Sequence, residues 1–444
     1  MRKKLTRAFL ASLMVGTVSF SLVGCGGSSE EASTGEIKEI TIPTFMAGEN
    51  VGGVFFLPQI ERFNEKYEGV YKINIEETPE SGYGDKIKQL AQQQKMPALV
   101  HGPIGQGVDK QWFREVAVAN DLVYDLSSFL DENQEIKEIL IDESLEFCTV
   151  DDKVICMPAA VTRPIGLYYN EALMDGTTIK EMSMDEFIAS LGENKIAFMT
   201  ADDSWTTGLF FSAILANEEG GYELLQQHAE DKLYDYTHPA FVSAIEKLQK
   251  LTQTNGASNT VGAAYPDAAN AFMSNNASII ANGSWMAGEF SPEGSGNWSN
   301  GFDGSTVSTT IYPGNIALAN TKVYGDFFIP NSASEDEKEV ALEFIKFRYS
   351  QEELEAYMLA EGGMAPKLTY TDEFLKAQGE NKILSQLTGS IDEETKFVVP
   401  IQDAVPTSIV NPELGKLLPK LIDNSMTAQE FCEALTVKGQ EILQ

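Results

Sequence analysis

Hydrophobic and polar residues alternate in two short segments, 37–42 and 71–76. Alternation with a period of two predicts strands that bury one face. Apolar residues recur at helical spacing within residues 58–69 and again within 85–94, and the run Pro-Ala-Leu-Val at 97–100 is typical of a short buried strand. Strand, helix, strand, helix and strand in this order predict an α/β fold with a parallel sheet and right-handed crossovers.

A hairpin is predicted at residues 150–153, Val-Asp-Asp-Lys, between Cys148 and Cys156. With the two aspartates as a two-residue loop, Cys148 faces Ile155 and Cys156 points to the other side of the sheet, which excludes a simple disulfide. A three-residue loop would place the two thiols opposite each other. A disulfide therefore remains open beside the alternative of three buried free thiols, the third being Cys432.

The N-terminus has the pattern of an export signal, with a basic segment at residues 2–7, an uncharged and largely apolar run at 8–23, and small residues around Cys25. Its Leu-Val-Gly-Cys sequence resembles the lipobox of bacterial lipoproteins. That resemblance implies a signal peptide at 1–24, lipidation of Cys25 and a protein held at the outer face of the cell membrane, with 25–36 as a flexible tether. An uncleaved membrane-spanning anchor is the alternative.

Charge and composition narrow the classes of partner. Removing residues 1–24 takes away four positive charges and no negative ones, so the net charge changes from −34 to −38. Such an acidic chain is a poor partner for nucleic acid or for an anionic bilayer. The hydrophobic fraction of 43% is enough for an ordinary core. There is no CxxC motif and the three histidines are scattered, so we expect neither a metal nor a cofactor.

Six segments of the chain, taken together and in order, resemble the extracellular solute-binding proteins of ABC importers, in particular the family that binds sugars. They lie at residues 63–100, 123–126, 152–158, 166–170, 270–285 and 341–366. Two features depart from the family pattern. The hairpin has Asp151-Asp152 where the family usually has Asp-Gly, and the C-terminal third has no Trp, so one common sugar-stacking position is absent.

The resemblance implies an α/β, two-lobed periplasmic-binding-protein-like (type II) fold with hinge-linked lobes. Lobe 1 would span 37–158 with a return segment near 320–370, and lobe 2 would span 159–320 with C-terminal helices near 371–444. The implied function is capture of a carbohydrate, an oligosaccharide by preference, and its delivery to the permease subunits of an ABC transporter. We expect a monomer that is not an enzyme.

Two tryptophans are the strongest candidates for ligand contact, because a sugar presents apolar C–H faces that stack on flat aromatic rings. Trp285 follows the apolar strand predicted at 278–281, and Trp205 precedes the apolar helix predicted at 209–215. The alternative for Trp285 is ordinary core packing. The alternative for Trp205 is a hydrophobic contact that begins a helix.

Polar candidates come from loops at the ends of strands, where open α/β sheets bind ligands. They are Glu49, Asn50, Tyr83, Asp85, His101, Thr162 and Arg163. The resemblance adds Tyr324, Asp326 and Gly363, which lie where the family's chain contacts ligand or approaches it with its backbone. Charged side chains in loops are usually only solvated, and Gly363 could simply end a helix.

Three other functions are alternatives to sugar binding. A polyamine-binding protein would suit the negative charge but needs several carboxylates that converge on one cleft. An exported glycoside hydrolase would use two carboxylates, and 66 acidic residues make such pairs uninformative. The sequence has no GxSxG, HExxH or P-loop motif. A surface adhesin predicts internal repeats, which the sequence lacks.

Overall fold

The structure is a computed structural model that describes residues 37–48, 52–79, 82–104, 107–201, 204–228, 232–292 and 302–443. The predicted signal peptide, Cys25 and the tether lie outside these residues, as do Glu49 and Asn50. Among the described residues, no helix is long and apolar enough to cross a membrane.

The strands are short, and most lie between helices. In chain order they are β1 (Lys38–Thr44), β2 (Tyr71–Glu77), β3 (Val100–His101), β4 (Thr149–Val150), β5 (Lys153–Val154), β6 (Ile165–Asn170), β7 (Ile196–Ala197), β8 (Ile279–Gly283), β9 (Val307–Thr310), β10 (Ile316–Leu318), β11 (Phe327–Phe328) and β12 (Lys396–Val398).

The α-helices cover much more of the chain than the strands do. They are α1 (Gly53–Lys66), α2 (Tyr83–Gln92), α3 (Lys110–Trp112), α4 (Ser127–Glu132), α5 (Gln134–Ile139), α6 (Asp142–Phe147), α7 (Met184–Ser190), α8 (Trp205–Ala216), α9 (Gly221–Gln227), α10 (Pro239–Asn255), α11 (Tyr265–Met273), α12 (Glu335–Arg348), α13 (Gln351–Glu361), α14 (Asp372–Glu380), α15 (Lys382–Gly389), α16 (Ile401–Ala404), α17 (Gly415–Ile422) and α18 (Ala428–Ile442). Capping boxes begin α7, α12 and α18, so local sequence fixes where these helices start.

The first five elements confirm most of the predicted pattern. Strands β1 and β2 pair in parallel, with Ile40 opposite Ile73 and Ile42 opposite Ile75. The prediction of one parallel sheet is wrong for β3, which pairs antiparallel with β11 in a separate two-stranded sheet. Its partner lies more than two hundred residues further along the chain, and local periodicity carries no information about such a pairing.

The larger sheet has six strands in the order β12-β10-β6-β8-β7, with β9 paired to β6. Strand β6 lies at its centre and is buried along its whole length. It runs antiparallel to β8, β9 and β10, whereas the pairs β7–β8 and β10–β12 are parallel. The sheet is therefore mixed.

Two large hydrophobic clusters define the two lobes. The cluster of lobe 1 draws on residues 40–160 and 324–354. That of lobe 2 draws on residues 165–318 and 398–435, and a neighbouring cluster extends it with residues such as Phe272 and Ile383. The chain therefore crosses between the lobes near residues 160–165 and 318–324, and again after α13. A backbone bridge between Pro158 and Tyr324 joins the chain at the lobe 1 ends of the first two crossing segments.

The hairpin adopts the predicted two-residue loop. Val150 pairs with Lys153, and the backbone N–H of Ile155 donates to the carbonyl of Cys148 at 2.9 Å. Cys148, Cys156 and Cys432 are all free and buried, so the alternative of a disulfide is not observed. The aspartates of the loop have φ values of 50° and 62°, which are the left-handed conformations of a type I′ turn.

Replacing Asp152 with glycine should stabilise the protein by about 0.5–1 kcal/mol. Glycine adopts φ of 62° without the steric cost that a Cβ imposes, and that gain exceeds its larger loss of chain entropy. Urea unfolding measures the difference. Lys153→Gly is the matched control, because this residue lies in β5 and glycine should weaken the strand. An Asp152→Gly variant no more stable than the unmodified protein would contradict this interpretation.

Candidate functional site

A cavity of about 170 Å³ lies between the two lobes. An apolar cavity of about 150 Å³ can hold a benzene ring, so this one has room for about one six-membered ring. Both crossing segments and α13 contribute to its walls. Its aromatic and polar lining consists of Thr162, Arg163, Trp285, Asn320, Tyr324, Asp326, Arg348, Tyr349, Tyr357 and Asp403.

Thr162 and Arg163 lie on the first crossing segment, and a glycine loop holds that segment in place. The backbones of Thr162 and Met364 exchange two hydrogen bonds, of 2.8 and 2.9 Å. A Cβ on Gly363 would lie 2.9 Å from the carbonyl oxygen of Thr162, and the residue has φ of 128°. Only glycine therefore allows this loop to approach so closely. The sequence predicts that the Gly363 backbone approaches a ligand. In the structure it approaches the crossing segment that carries Arg163, and Gly363 does not line the cavity.

Trp285 follows β8 in a short 3₁₀ turn. Its six-membered ring lies against the backbone of Gly283, where an added Cβ would come within 2.4 Å of three ring atoms. Gly362 packs as closely on Ser284, the residue before the tryptophan. The guanidinium of Arg163 lies over the Trp285 ring, 5.2 Å from its centroid. Backbone contacts thus fix the ring at the wall of the cavity.

Trp205 stands beside Trp285 at the start of α8. The two ring centroids are 6.3 Å apart, and Trp205 also contacts Tyr265 at 5.0 Å. The Tyr265 hydroxyl accepts a hydrogen bond of 3.1 Å from the Asn282 side chain. Trp205 does not line the cavity. It belongs to an aromatic group that packs around Trp285.

A buried charge network forms the lobe 1 side of the cavity. Arg348 donates from Nε to Oδ2 of Asp326 at 2.9 Å, and its two terminal nitrogens donate to Asp326 and to the side-chain oxygen of Gln59. Burial alone would raise the pKa of Asp326, but Arg348 and then Arg163 outweigh it and hold that pKa below its ordinary value. Asp326 is therefore a carboxylate at neutral pH.

The network continues away from the cavity. The Gln59 amide donates to Glu353 at 2.9 Å, and Arg62 donates to both oxygens of Glu353 at 2.7 and 2.8 Å. Such bidentate pairing fixes orientation as well as charge. Arg348 and Asp326 are thus held in one geometry by residues of α1 and α13 that do not line the cavity.

Four side chains of the cavity retain hydrogen-bonding capacity. Oδ1 of Asp326, the Tyr357 hydroxyl and the Arg163 guanidinium have no hydrogen-bond partner among the described residues. Nδ2 of Asn320 is buried and equally unpartnered. Buried polar groups are almost always paired in folded proteins. One acceptor and several donors around a single ring-sized space therefore suit a hydroxylated ligand.

An ion pair joins the two lobes at the same cavity. Nζ of Lys110 in lobe 1 lies 2.9 Å from Oδ1 of Asp403, which belongs to α16 in lobe 2. Both side chains are about a quarter exposed. The contact is made with the lobes close together, so opening of the cleft would break it.

The structure brings five of the predicted ligand-contacting residues to the cavity. These are Trp285, Thr162, Arg163, Tyr324 and Asp326. Trp205 and Gly363 do not line the cavity, but Trp205 packs beside Trp285 and Gly363 packs against Thr162. Asp85 lies exposed in the first turn of α2, and Tyr83 and His101 lie in the core of lobe 1, so none of these three lines the cavity.

His101 and Tyr83 hold each other in that core. The His101 backbone N–H donates to the Tyr83 hydroxyl at 2.9 Å, and Nε2 of His101 lies 2.8 Å from Oγ1 of Thr44. The imidazole is only 2% exposed. Burial lowers the pKa of His101 to about 3, with Asp326 opposing the shift. The ring is therefore neutral in the folded protein at every mildly acidic pH.

Stability should fall as the pH drops below about 6.5. The unfolded chain binds a proton at His101 near its ordinary pKa, while the folded chain does not until about pH 3. Between pH 7 and pH 5 this linkage costs about 2 kcal/mol. Urea unfolding at both pH values should show that His101→Gln, which can still bond Thr44, loses about 2 kcal/mol less than the unmodified protein. Equal losses in both proteins would contradict the assignment.

Sequence reasoning missed Arg348, Asn320, Tyr357 and Asp403. A signal existed for Arg348, because it follows Phe344 by four residues on the buried face of α12. A charged residue on an apolar helix face needs a buried partner. Tyr357 lies on the corresponding face of α13, four residues before Glu361. Nothing in the sequence around Asn320 or Asp403 distinguishes them from solvated loop residues.

Two lobes linked by crossing segments, with a ring-sized polar cavity between them, define a ligand-binding protein of the periplasmic-binding type. The chain belongs to the bacterial extracellular solute-binding protein family, whose family model matches residues 59–382. Membership confirms the resemblance seen in the sequence, and the family's members are binding proteins that act outside the cytoplasm.

Several solved structures of binding proteins share the fold over almost the whole chain. A chitin oligosaccharide binding protein superposes with a TM-score of 0.68 at 18% identity, covering 92% of this chain and 99% of that one. A Streptococcus pneumoniae solute-binding protein in complex with the blood group A-trisaccharide has a TM-score of 0.67 at 18% identity, with 90% and 98% covered. A solute-binding protein in complex with raffinose has a TM-score of 0.64 at 17% identity, and again 90% of this chain and 98% of that one are covered. No curated protein sequence matches the chain significantly.

Proposed function

We propose that this protein captures a carbohydrate in the cavity between its lobes and delivers it to the permease of an ABC importer, without catalysing a reaction itself. The observation that carries the proposal is the Trp285 ring at the wall of a ring-sized cavity whose other walls hold unpartnered polar groups. The structural relatives described as binding a chitin oligosaccharide, the blood group A-trisaccharide and raffinose support it.

The chemistry of the walls fits a saccharide. A sugar ring places an apolar face on an aromatic ring and its hydroxyls around the edge. Oδ1 of Asp326 would accept from one hydroxyl, while the Asn320 amide and the Arg163 guanidinium would donate to others. Arg163 must move from the face of Trp285, or the ligand must contact the ring beside it. Glu49 and Asn50, which follow β1, stay a prediction.

Two other ligand classes fit less well. A polyamine needs several unpaired carboxylates. In this cavity Asp326 is paired with Arg348, and Asp403 is paired with Lys110. A glycoside hydrolase needs one carboxyl group that gives up a proton to the leaving group. Asp326 is instead held ionised by Arg348.

The anchoring scheme completes the proposal. Lipidated Cys25 would hold the protein at the outer face of the cell membrane, and residues 26–36 would give the two-lobed body room to reach a permease. Labelling of cells with a fatty-acid analogue tests this part, since a Cys25→Ser variant should lose both the label and its membrane attachment. A variant that keeps the label would contradict lipidation at Cys25.

A thermal-shift screen tests the ligand class. The mature chain should gain several degrees in melting temperature with one or more saccharides, because a ligand at about a hundred times its Kd stabilises the folded state by about 2.7 kcal/mol. Monosaccharides, oligosaccharides, polyamines and peptides belong in the same screen. A shift with polyamines alone would move the ligand to that class, and hydrolysis of a bound saccharide would contradict the proposal of a binding protein.

A further inference from the structure

We propose that the saccharide carries a carboxylate, as a uronic acid does, and that Arg163 is the residue that recognises it. The inference rests on the proposed function, since it specifies the ligand of the same cavity. The charged side chains of the cavity differ in whether they already have a hydrogen-bonded partner.

Three of the four charged side chains that line the cavity are neutralised by hydrogen-bonded ion pairs. Arg348 and Asp326 bind each other, and Asp403 is paired with Lys110 at 2.9 Å. The fourth is Arg163. It makes no hydrogen bond with any described residue, and its nearest carboxylate oxygen, on Glu361, is 3.9 Å away.

Glu361 is a weak counter-ion for Arg163. Its side chain is 7% exposed, compared with 33% for that of Arg163. Burial raises the pKa of Glu361, and Arg163 only partly opposes that shift. The Arg163 guanidinium therefore has no hydrogen-bonded counter-ion on this wall of the cavity. Burial disfavours its charge, but Tyr357, Glu361 and Asp326 outweigh burial and raise the pKa of Arg163 above its ordinary value.

A second unpartnered donor lies on the same cavity. Nδ2 of Asn320 is buried without an acceptor. A guanidinium has five N–H donors and no acceptor, so Arg163 needs a ligand that accepts hydrogen bonds. A carboxylate satisfies the guanidinium best, because its two oxygens match the planar group and carry the opposite charge. A carboxylate is also small enough to fit beside a single sugar ring in this cavity.

Isothermal titration calorimetry of the mature chain, residues 25–444, tests this inference. The probes are D-glucuronate, D-galacturonate and tri-galacturonate, each compared with the methyl ester of the same sugar. Esterification removes the charge and leaves the ring unchanged. We expect at least one acid to bind about tenfold more tightly than its ester, with the difference shrinking at high salt.

The role of Arg163 is tested by the ratio of these two affinities. Arg163→Met removes the charge and keeps most of the stem, and should bring the ratio to within about threefold of one. Arg163→Lys retains the charge and should keep part of the preference. Lys382→Met is the matched control, since it removes one positive charge from a surface pair with Glu171 away from the cavity, and should leave the ratio intact. A thermal unfolding curve checks that each variant is folded.

The outcomes separate the inference from the function on which it rests. Equal or tighter binding of neutral sugars and esters would overturn the carboxylate and leave carbohydrate binding in place. Tighter binding of glucose 6-phosphate than of any uronate would also overturn it. An acid-to-ester ratio that Arg163→Met leaves unchanged would overturn the role of Arg163. Failure of every saccharide, charged or neutral, would overturn the proposed function itself.

Discussion

Replacing Trp285 with alanine should lower the affinity for the saccharide by about 30-fold to 1,000-fold. A tryptophan that forms the wall of a binding cavity is the typical residue whose truncation costs about 2–4 kcal/mol of binding free energy. The ring is held against the Gly283 backbone and stands beside Trp205. Calorimetric titration with a sugar found in the screen measures the loss.

Two further variants show whether the loss belongs to the site. Trp285→Phe keeps a flat apolar face and should lose only about tenfold. Trp112→Ala removes a tryptophan of lobe 1 that does not line the cavity, and should leave the affinity unchanged. If the Trp285→Ala protein is folded and binds the saccharide as tightly as the unmodified protein, this ring is not part of the binding site.

Replacing Arg348 with methionine should destabilise the protein by about 3 kcal/mol at neutral pH. Methionine fills a similar volume but leaves the Asp326 carboxylate without its main partner. Breaking a buried ion pair on one side typically costs about 3–5 kcal/mol. We expect the lower end, because the Asp326 side chain is 26% exposed to the cavity and Arg163 lies near enough to lower its pKa.

A second substitution, at Asp326, distinguishes the effect of an unpaired charge on stability from the effect of lost packing. The double variant Arg348→Met, Asp326→Asn has no unpaired charge and should recover at least half of the lost stability, as measured by urea unfolding. Independent effects would instead add, which is the outcome expected for residues that do not interact. Additive losses would therefore contradict the ion pair as the source of the stability.

Local pattern was enough to predict the elements that depend on neighbouring residues. The alternation at 71–76 predicted β2, and helical spacing predicted α1 and α2 to within a few residues. Pairing across long distances was not readable in this way. Strand β3 has two residues and pairs with β11, so its direction depends on a segment far along the chain.

The site was predictable where residue type alone restricts the role. Tryptophan is rare in this chain, and Trp285 follows a buried strand and lies at the cavity. His101 is the last residue of the buried strand β3, and its ring turns inward to Thr44 because a neutral imidazole can form a hydrogen bond there. Both positions look alike in the sequence. Only the packing of α1 and α12 around β3 and β11 decides which side chain faces the ligand.

The structure of the complex is the measurement that tests the central claim most directly. Crystals of the mature protein grown with the saccharide from the screen should show one sugar ring in the cavity between the lobes. We predict contact between that ring and Trp285, and a hydroxyl within hydrogen-bonding distance of Oδ1 of Asp326. A saccharide bound elsewhere, with the interlobe cavity unchanged, would contradict the account.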